Sequence, residues 1–284
     1  MRRSPRDKPR LITDALLRDW PLPPPGSEGS KEARGRILII GGAVEMPGAV
    51  ILASNAALRA GAGKVRVATA RAVAPFVATE VPEVFAFGIE DHAAVLDSAA
   101  HTDAVLIGSG MRDTDAIREL LPQLLKIETL RALIIDASAL SEIDPSQLHE
   151  RTIITPHRGE MCAMLHITED ELANDPINCG CGFAFRSGGV VVLKGAETLI
   201  CSGDHSVFVN NRGNVGLATA GSGDVLAGII AGFCARGAEP LQAAVWGVAV
   251  HARAGERLAK RVGSIGYLAR EIVDEIPRLT TDLG

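Results

Sequence analysis

The sequence predicts an α/β domain: a central, mostly parallel sheet covered by helices, with a small antiparallel hairpin. Three observations lead there. Short continuous apolar runs such as Ile37-Leu38-Ile39-Ile40 suit strands buried on both faces. Stretches with apolar residues at helical spacing lie between these runs, and such alternation implies right-handed crossovers. Hydrophobic residues make up 47% of the 284, which excludes a mostly disordered chain and supplies a sizeable core.

The elements follow in order. Residues 1–35 read as an extension and connector, polar and broken by Pro21, Pro23, Pro24 and Pro25, with a short helix around Leu11–Trp20. The domain proper is expected over 36–284. After the strand at 37–40 comes Gly41-Gly42. A helix then starts near Gly48, with Ala49, Leu52, Ala53, Ala56, Ala57 and Ala60 on one face and Gly61 as its C′ residue. That face is mostly alanine, so the helix can lie close to a sheet. Val65–Ala68, Ala104–Ile107, Ala132–Ile135, Thr152–Ile154 and Val190–Leu193 are further strands, with helices near 114–126, 159–165 and 169–186. Thr198–Cys201 and Ser206–Val209 flank Ser202-Gly203-Asp204-His205 and read as a hairpin. Helices over 224–236 and 240–261 follow, and 262–284 receives no assignment.

Charge and composition narrow the function. Lys and Arg total 29 against 34 acidic residues, so no overall positive field for nucleic acid exists. Aromatic residues at 4% offer little base-stacking surface. No run approaches the roughly 20 apolar residues of a membrane span, and the basic start lacks the apolar stretch of a signal peptide. Five cysteines, an odd number, suit free thiols in a reducing compartment, and the protein is expected in the cytoplasm.

The richest segment runs from Asn210 to Asp224. Glycines at 213, 216, 221 and 223 precede a helix with Val225, Leu226, Ile229, Ile230 and Phe233 on one side. A glycine turn feeding a helix N-terminus aims N–H groups at an anion. Asp224 is then either a first-turn residue serving the helix or a general base beside a phosphate nest. Spacing alone does not separate the two; the close glycines lean toward phosphate. Thr155-Pro156-His157-Arg158-Gly159-Glu160 follows a strand, where open α/β sheets place ligands, although His157 and Glu160 also suit a helix cap. Lys194-Gly195-Ala196-Glu197-Thr198 follows another strand, with Lys194 either a solvated edge lysine or a phosphate contact. Gly41-Gly42 with Pro47-Gly48 lacks a dinucleotide fingerprint, and Gly108-Ser109-Gly110 is weak alone. Together these turns converge on one sheet edge, where a cleft is expected. Cys179-Gly180-Cys181 has the wrong spacing for a redox or zinc element, and His251 reads as a core or interface histidine.

The run Gly213-Asn214 through Asp224-Val225-Leu226-Ala227-Gly228 resembles the signature of NAD(P)H-hydrate dehydratases, repair enzymes with a ribokinase-like fold. The resemblance extends in order through Gly35 to Gly42, Pro47-Gly48-Ala49, Ala56 to Gly63, Pro82-Glu83-Val84, Thr155-Pro156-His157, Gly159-Glu160-Met161 and Lys194-Gly195-Ala196 with Thr198, over about residues 11–260. The sequence departs from the family at Ser109, Met111 and Arg112 in a G-P-G-L-G-like turn, at Val215 and at Ser138.

The resemblance implies an activity. A nucleotide, ADP or ATP, phosphorylates the C6 hydroxyl of the S epimer of NAD(P)H hydrate; phosphate then leaves and NAD(P)H is restored. It implies Asp224 as the catalytic base and the amides of Gly221, Ser222 and Gly223 as an anion hole. Lys194, Gly195, Ala196, Glu197, Thr198 and Gly223 would hold the nucleotide. Ala49, Gly110, His157 and Asp224 would line the hydrate pocket, and Glu160 would organise Mg²⁺ through water. Assembly as a homotetramer is implied too. Two alternatives remain at this stage: a ribokinase-like kinase of a small alcohol or vitamin precursor, and a nucleotide-binding regulator without catalysis.

Overall fold

The computed structural model describes residues 8–24 and 31–284; the basic start and the middle of the Pro/Gly/Ser connector lie outside them. The first half of the chain gives β1 (Arg10–Leu11), α1 (Asp14–Asp19), β2 (Arg36–Ile40), α2 (Pro47–Arg59), β3 (Lys64–Thr69), α3 (Ala74–Glu80), β4 (Val84–Gly88), α4 (His92–Ala100), β5 (Ala104–Ile107), α5 (Thr114–Leu124) and β6 (Ala132–Ile135). The second half gives β7 (Thr152–Ile154), α6 (Arg158–Leu165), α7 (Glu169–Asn174), α8 (Pro176–Ser187), β8 (Val190–Leu193), β9 (Thr198–Ser202), β10 (Val207–Asn210), α9 (Ser222–Ala235), α10 (Pro240–Arg261) and α11 (Ala269–Leu283).

All ten strands join one sheet in the order β1-β10-β9-β8-β7-β6-β5-β2-β3-β4. From β8 across to β4 every pairing is parallel. Only β9 reverses, antiparallel to both β8 and β10, which makes the expected hairpin. Strand order turns back at β2: the chain steps outward to β3 and β4, then returns to lay β5 on the other side of β2. Ligands of open α/β sheets sit at the strand C-termini beside such a switch point. Here that edge carries Gly41-Gly42 and Gly108-Ser109-Gly110, and Gly42 N–H donates across it to the Ser109 carbonyl at 2.8 Å.

Alternate residues of the strands feed two cores. Ile37, Ile39, Leu106 and Ile134 face α2, α9, α10 and α11; Leu38, Ile40, Val105 and Ile135 face α5, α6 and α8. Burial on both faces explains why these strands read as continuous apolar runs. The alanine face of α2 does more than approach the sheet. A Cβ on Gly228 of α9 would lie 2.4 Å from the Ala53 carbonyl, and one on Gly232 would lie 2.7 Å from that of Ala57. Small residues on both helices therefore bring α9 directly against α2.

Three expectations change. The helix expected over 169–186 is two helices, because Asp175 caps a new one at Asn178 N and Pro176 takes its first position. The helix expected from 224 starts at Ser222. Residues 70–103 hold α3, β4 and α4, none of them expected from the sequence. The extension ahead of residue 36 is stitched to the domain: β1 pairs with β10, Leu17 is fully buried, and Trp246 Nε1 donates to the Trp20 carbonyl at 2.8 Å.

Candidate active site

Asp224 is the third residue of α9, and Gly221 caps that helix with φ +85. The left-handed conformation is open to glycine at little cost, and a Cβ there would also meet Leu52 at 2.4 Å. The turn thus projects the first amides of α9 toward the C-terminal edge of the sheet. No hydrogen bond is seen for the amides of Gly221 and Gly223 among the described residues, whereas Ser222 N–H donates to the Thr219 carbonyl at 3.2 Å.

A second carboxylate lies opposite. Asp136 follows β6 and is 2% exposed. Its Oδ1 accepts from Thr155 Oγ1 at 2.6 Å and from Lys194 Nζ at 3.1 Å. Gly108, with φ +115, makes room for it: a Cβ there would fall 1.9 Å from the Asp136 carbonyl oxygen. The next residue, Ala137, is itself left-handed at φ +49, a conformation that costs a non-glycine residue about 1–3 kcal/mol.

These neighbours set the state of Asp224. Burial, reinforced by the Asp136 charge, pushes its carboxyl up to about 6; the Ser109 hydroxyl and the Lys194 ammonium pull the other way. Ser109 is fully buried and its Oγ has no hydrogen bond of good geometry among the described residues, yet its hydroxyl favours the charged form of Asp224. A carboxylate poised near neutrality in a cleft is suited to taking a proton. His251 of α10 stands behind the turn, its Nε2 2.9 Å from Ser222 Oγ and 3.1 Å from the Ser222 carbonyl oxygen. Burial pushes this histidine down to about 4.

The other expected residues distribute around this centre. His157 and Lys194 form a parallel bridge that extends β7 and β8, and Lys194 N–H donates to the Pro156 carbonyl at 2.8 Å. Gly195, Ala196 and Glu197 form the exposed turn before β9, with Thr198 at its first position. Lys194 Nζ would lie 3.5 Å from a Cβ on Gly223, so the lysine and the turn converge. Ala49 and Gly110 adjoin each other at the β2–α2 side, since a Cβ on Gly110 would meet that of Ala49 at 2.6 Å. His157 and Glu160 do form a capping box on α6: His157 Nδ1 accepts from Glu160 N–H at 3.1 Å, and Glu160 Oε2 accepts from His157 N–H at 2.6 Å.

The donor set bears on a metal. No group of three or more His, Cys, Asp or Glu side chains that could hold an ion exists among the described residues. Glu160 offers one carboxylate whose oxygens are already engaged. That fits Mg²⁺ held mainly by nucleotide phosphates and water, and does not fit a caged protein metal.

A family model described as NAD(P)H-hydrate dehydratase matches residues 37–278. The chain belongs to the NAD(P)H-hydrate dehydratase family. It is 44% identical over 277 residues to the ADP-dependent (S)-NAD(P)H-hydrate dehydratase of Xanthomonas campestris, covering 94% of this chain and 95% of that one. Among solved structures it resembles the ADP/ATP-dependent NAD(P)H-hydrate dehydratase of Bacillus subtilis co-crystallised with ATP/Mg²⁺ (TM-score 0.85, 28% identity, 97% and 99% of the two chains). A ribokinase-like superfamily protein of Enterococcus faecalis matches at TM-score 0.86, with 27% identity and 96% of each chain covered. The fold of this dehydratase-family member is therefore ribokinase-like, as its resemblance implied. The chain spans about half the length of the bifunctional repair enzymes that it also matches.

Sequence reasoning missed two residues in this family site. Nothing in the spacing of Asp136 ties it to Asp224 or Lys194. His251, expected as a core or interface histidine, is half-buried, and its period on α10 does not reveal that its Nε2 meets Ser222.

Proposed function

We propose that this chain restores NAD(P)H from the S epimer of NAD(P)H hydrate, using ADP or ATP and releasing phosphate together with AMP or ADP. ADP is the nucleotide in the name of the Xanthomonas campestris relative. The observation that carries the reading is Asp224: it follows directly on the left-handed glycine turn that opens α9, and its carboxyl is raised to about 6. Asp224 takes the proton of the C6 hydroxyl as that oxygen attacks the terminal phosphorus. The bond to the nucleotide's bridging oxygen breaks and AMP or ADP departs. The phosphate ester then loses phosphate from C6 and a proton from the adjoining carbon, restoring the double bond. General-base help of this kind is worth about 10²–10⁴-fold.

The chain's own groups divide the remaining work. The free amides of Gly221 and Gly223 receive the negative charge that grows on the transferring phosphoryl group. Lys194 through Thr198 line the nucleotide side, and Ala49, Gly110 and His157 line the hydrate side. Glu160 would hold a nucleotide-bound Mg²⁺ through water, and the ion would supply neutralisation of phosphate charge. Exposed Phe76 and Phe85 offer an apolar surface for assembly as a homotetramer. The five cysteines are all free, which suits the cytoplasm.

The test is direct. Enzyme, Mg²⁺ and S-NADHX are incubated with ADP or ATP, and absorbance at 340 nm and inorganic phosphate are followed. Stoichiometric NADH and phosphate support the reading. A stable phosphorylated product, or nucleotide binding without turnover, replaces it with a kinase or a regulator.

A further inference from the structure

The geometry points to the hydroxyl of Ser222, held by His251, as a side-chain donor of the anion hole. This rests on the dehydratase reading above and deepens it. The amide of Ser222 is the one member of the turn with a protein partner, since it donates to the Thr219 carbonyl at 3.2 Å. If Ser222 serves the phosphoryl group, its side chain is the group with a donor to spare.

Donor and acceptor accounting fixes where that hydroxyl proton goes. His251 Nε2 lies 3.1 Å from the Ser222 carbonyl oxygen, which can only accept, so Nε2 carries the ring's hydrogen. The ring is neutral near pH 7, because burial, with the Lys194 charge adding to it, opposes its protonation. The same N–H therefore serves the hydroxyl oxygen at 2.9 Å, and Ser222 Oγ is an acceptor in that contact. Its proton is left without a protein acceptor, and no other hydrogen bond of Ser222 Oγ is seen among the described residues. Ser222 is 4% exposed, so bulk water does not readily take that proton. An unspent donor at the first position of the helix whose first turn carries Asp224 suits an incoming phosphoryl oxygen. His251 acts as a positioning residue, through the N–H that sets the hydroxyl rotor.

The experiment compares Ser222→Ala, Ser222→Thr, His251→Gln, His251→Leu and the double variant Ser222→Ala/His251→Leu with the parent and Asp224→Asn. Turnover of S-NADHX with ADP and Mg²⁺ is the readout, and thermal melting confirms that each variant is folded. Removing a preorganised donor costs about 10²–10³-fold in kcat in comparable sites. Ser222→Ala should lose at least tenfold in kcat, with the KM for ADP within twofold of the parent. Ser222→Thr, which keeps the hydroxyl, should recover most of that loss; should it melt early, Ser222→Cys replaces it as a weak donor of similar size. His251→Gln keeps an N–H and should stay near the parent. His251→Leu should fall as far as Ser222→Ala, and the double variant no further, as expected of two groups acting as one. A kcat loss below tenfold in Ser222→Ala, or losses that multiply in the double variant, overturns the inference. Absence of S-NADHX turnover in the parent itself overturns the dehydratase reading, which separates the two failures.

Discussion

Replacing Asp224 with asparagine should stop the reaction and stabilise the protein, and the second effect should depend on pH. The parent carboxyl is raised from its ordinary 3.8 to about 6, mainly by burial and then by the Asp136 charge. Between about pH 4 and 6 the unfolded chain has released this proton while the folded chain retains it. The folded state then binds more protons, so this group's contribution to stability falls as pH rises and the loss is complete above the folded value. At roughly 1.36 kcal/mol per pH unit the loss reaches up to about 3 kcal/mol. Asparagine never ionises and escapes it. Asp224→Asn should therefore match the parent in urea unfolding at pH 4 and exceed it by as much as about 3 kcal/mol at pH 7.5. Turnover should drop at least 10²-fold, the lower bound for general-base help. Turnover within twofold of the parent refutes the base assignment. A stability difference that is the same at pH 4 and pH 7.5 refutes the electrostatic account of the site.

Further predictions use the groups around Asp224. Asp136→Asn removes a negative neighbour, so the acid limb of kcat, measured between pH 5 and 8, should move to lower pH; no movement would sever the link between the two carboxylates. Ser109→Ala removes a group that favours the charged form of Asp224, so the same limb should move to higher pH, and a shift downward would contradict the placement of its hydroxyl. Lys194→Met leaves the buried Asp136 charge with Thr155 alone; denaturation should register a loss near the lower end of about 3–5 kcal/mol, because Lys194 keeps 21% of its side chain in solvent. Adding Asp136→Asn to that variant should return most of it. Glu160→Ala should lose about 1 kcal/mol with the capping box and raise the Mg²⁺ concentration that half-saturates turnover; an unchanged Mg²⁺ requirement would remove Glu160 from that role.

Much of the fold was legible because buried parallel strands announce themselves. Ile37–Ile40, Ala104–Ile107 and Val190–Leu193 are apolar throughout since helices cover both faces. The edge strand β4 is missed for another reason. Val84-Phe85-Ala86-Phe87 is apolar throughout, as the central strands are, yet the run directly follows Pro82-Glu83 and places Phe85 at 58% exposure on the sheet's edge. The β1 strand is two residues long and pairs with a strand almost 200 positions away, which no local pattern encodes. At the site, the turn before Asp224 was legible because closely spaced glycines ahead of a helix mark left-handed backbone, which Gly221 adopts at φ +85. Thr155, Asp136 and Lys194 come from the ends of three adjacent parallel strands, so their meeting depends on strand order. Periodicity shows that strands exist and leaves their order open.

That strand order also explains why the site carries charges that stability alone would not favour. Asp136 and Asp224 both approach the site, and the Asp136 charge makes Asp224 harder to ionise. Lys194 relieves Asp136 at 3.1 Å, and the parallel bridge to His157 fixes its backbone at the end of β8. With its ammonium on Asp136, Asp224 keeps a proton affinity near neutrality. Were Lys194 free to close on Asp224 instead, the base would be weaker and the cleft more stable. The arrangement trades folding free energy for basicity at one atom, the direction expected of a site selected for turnover.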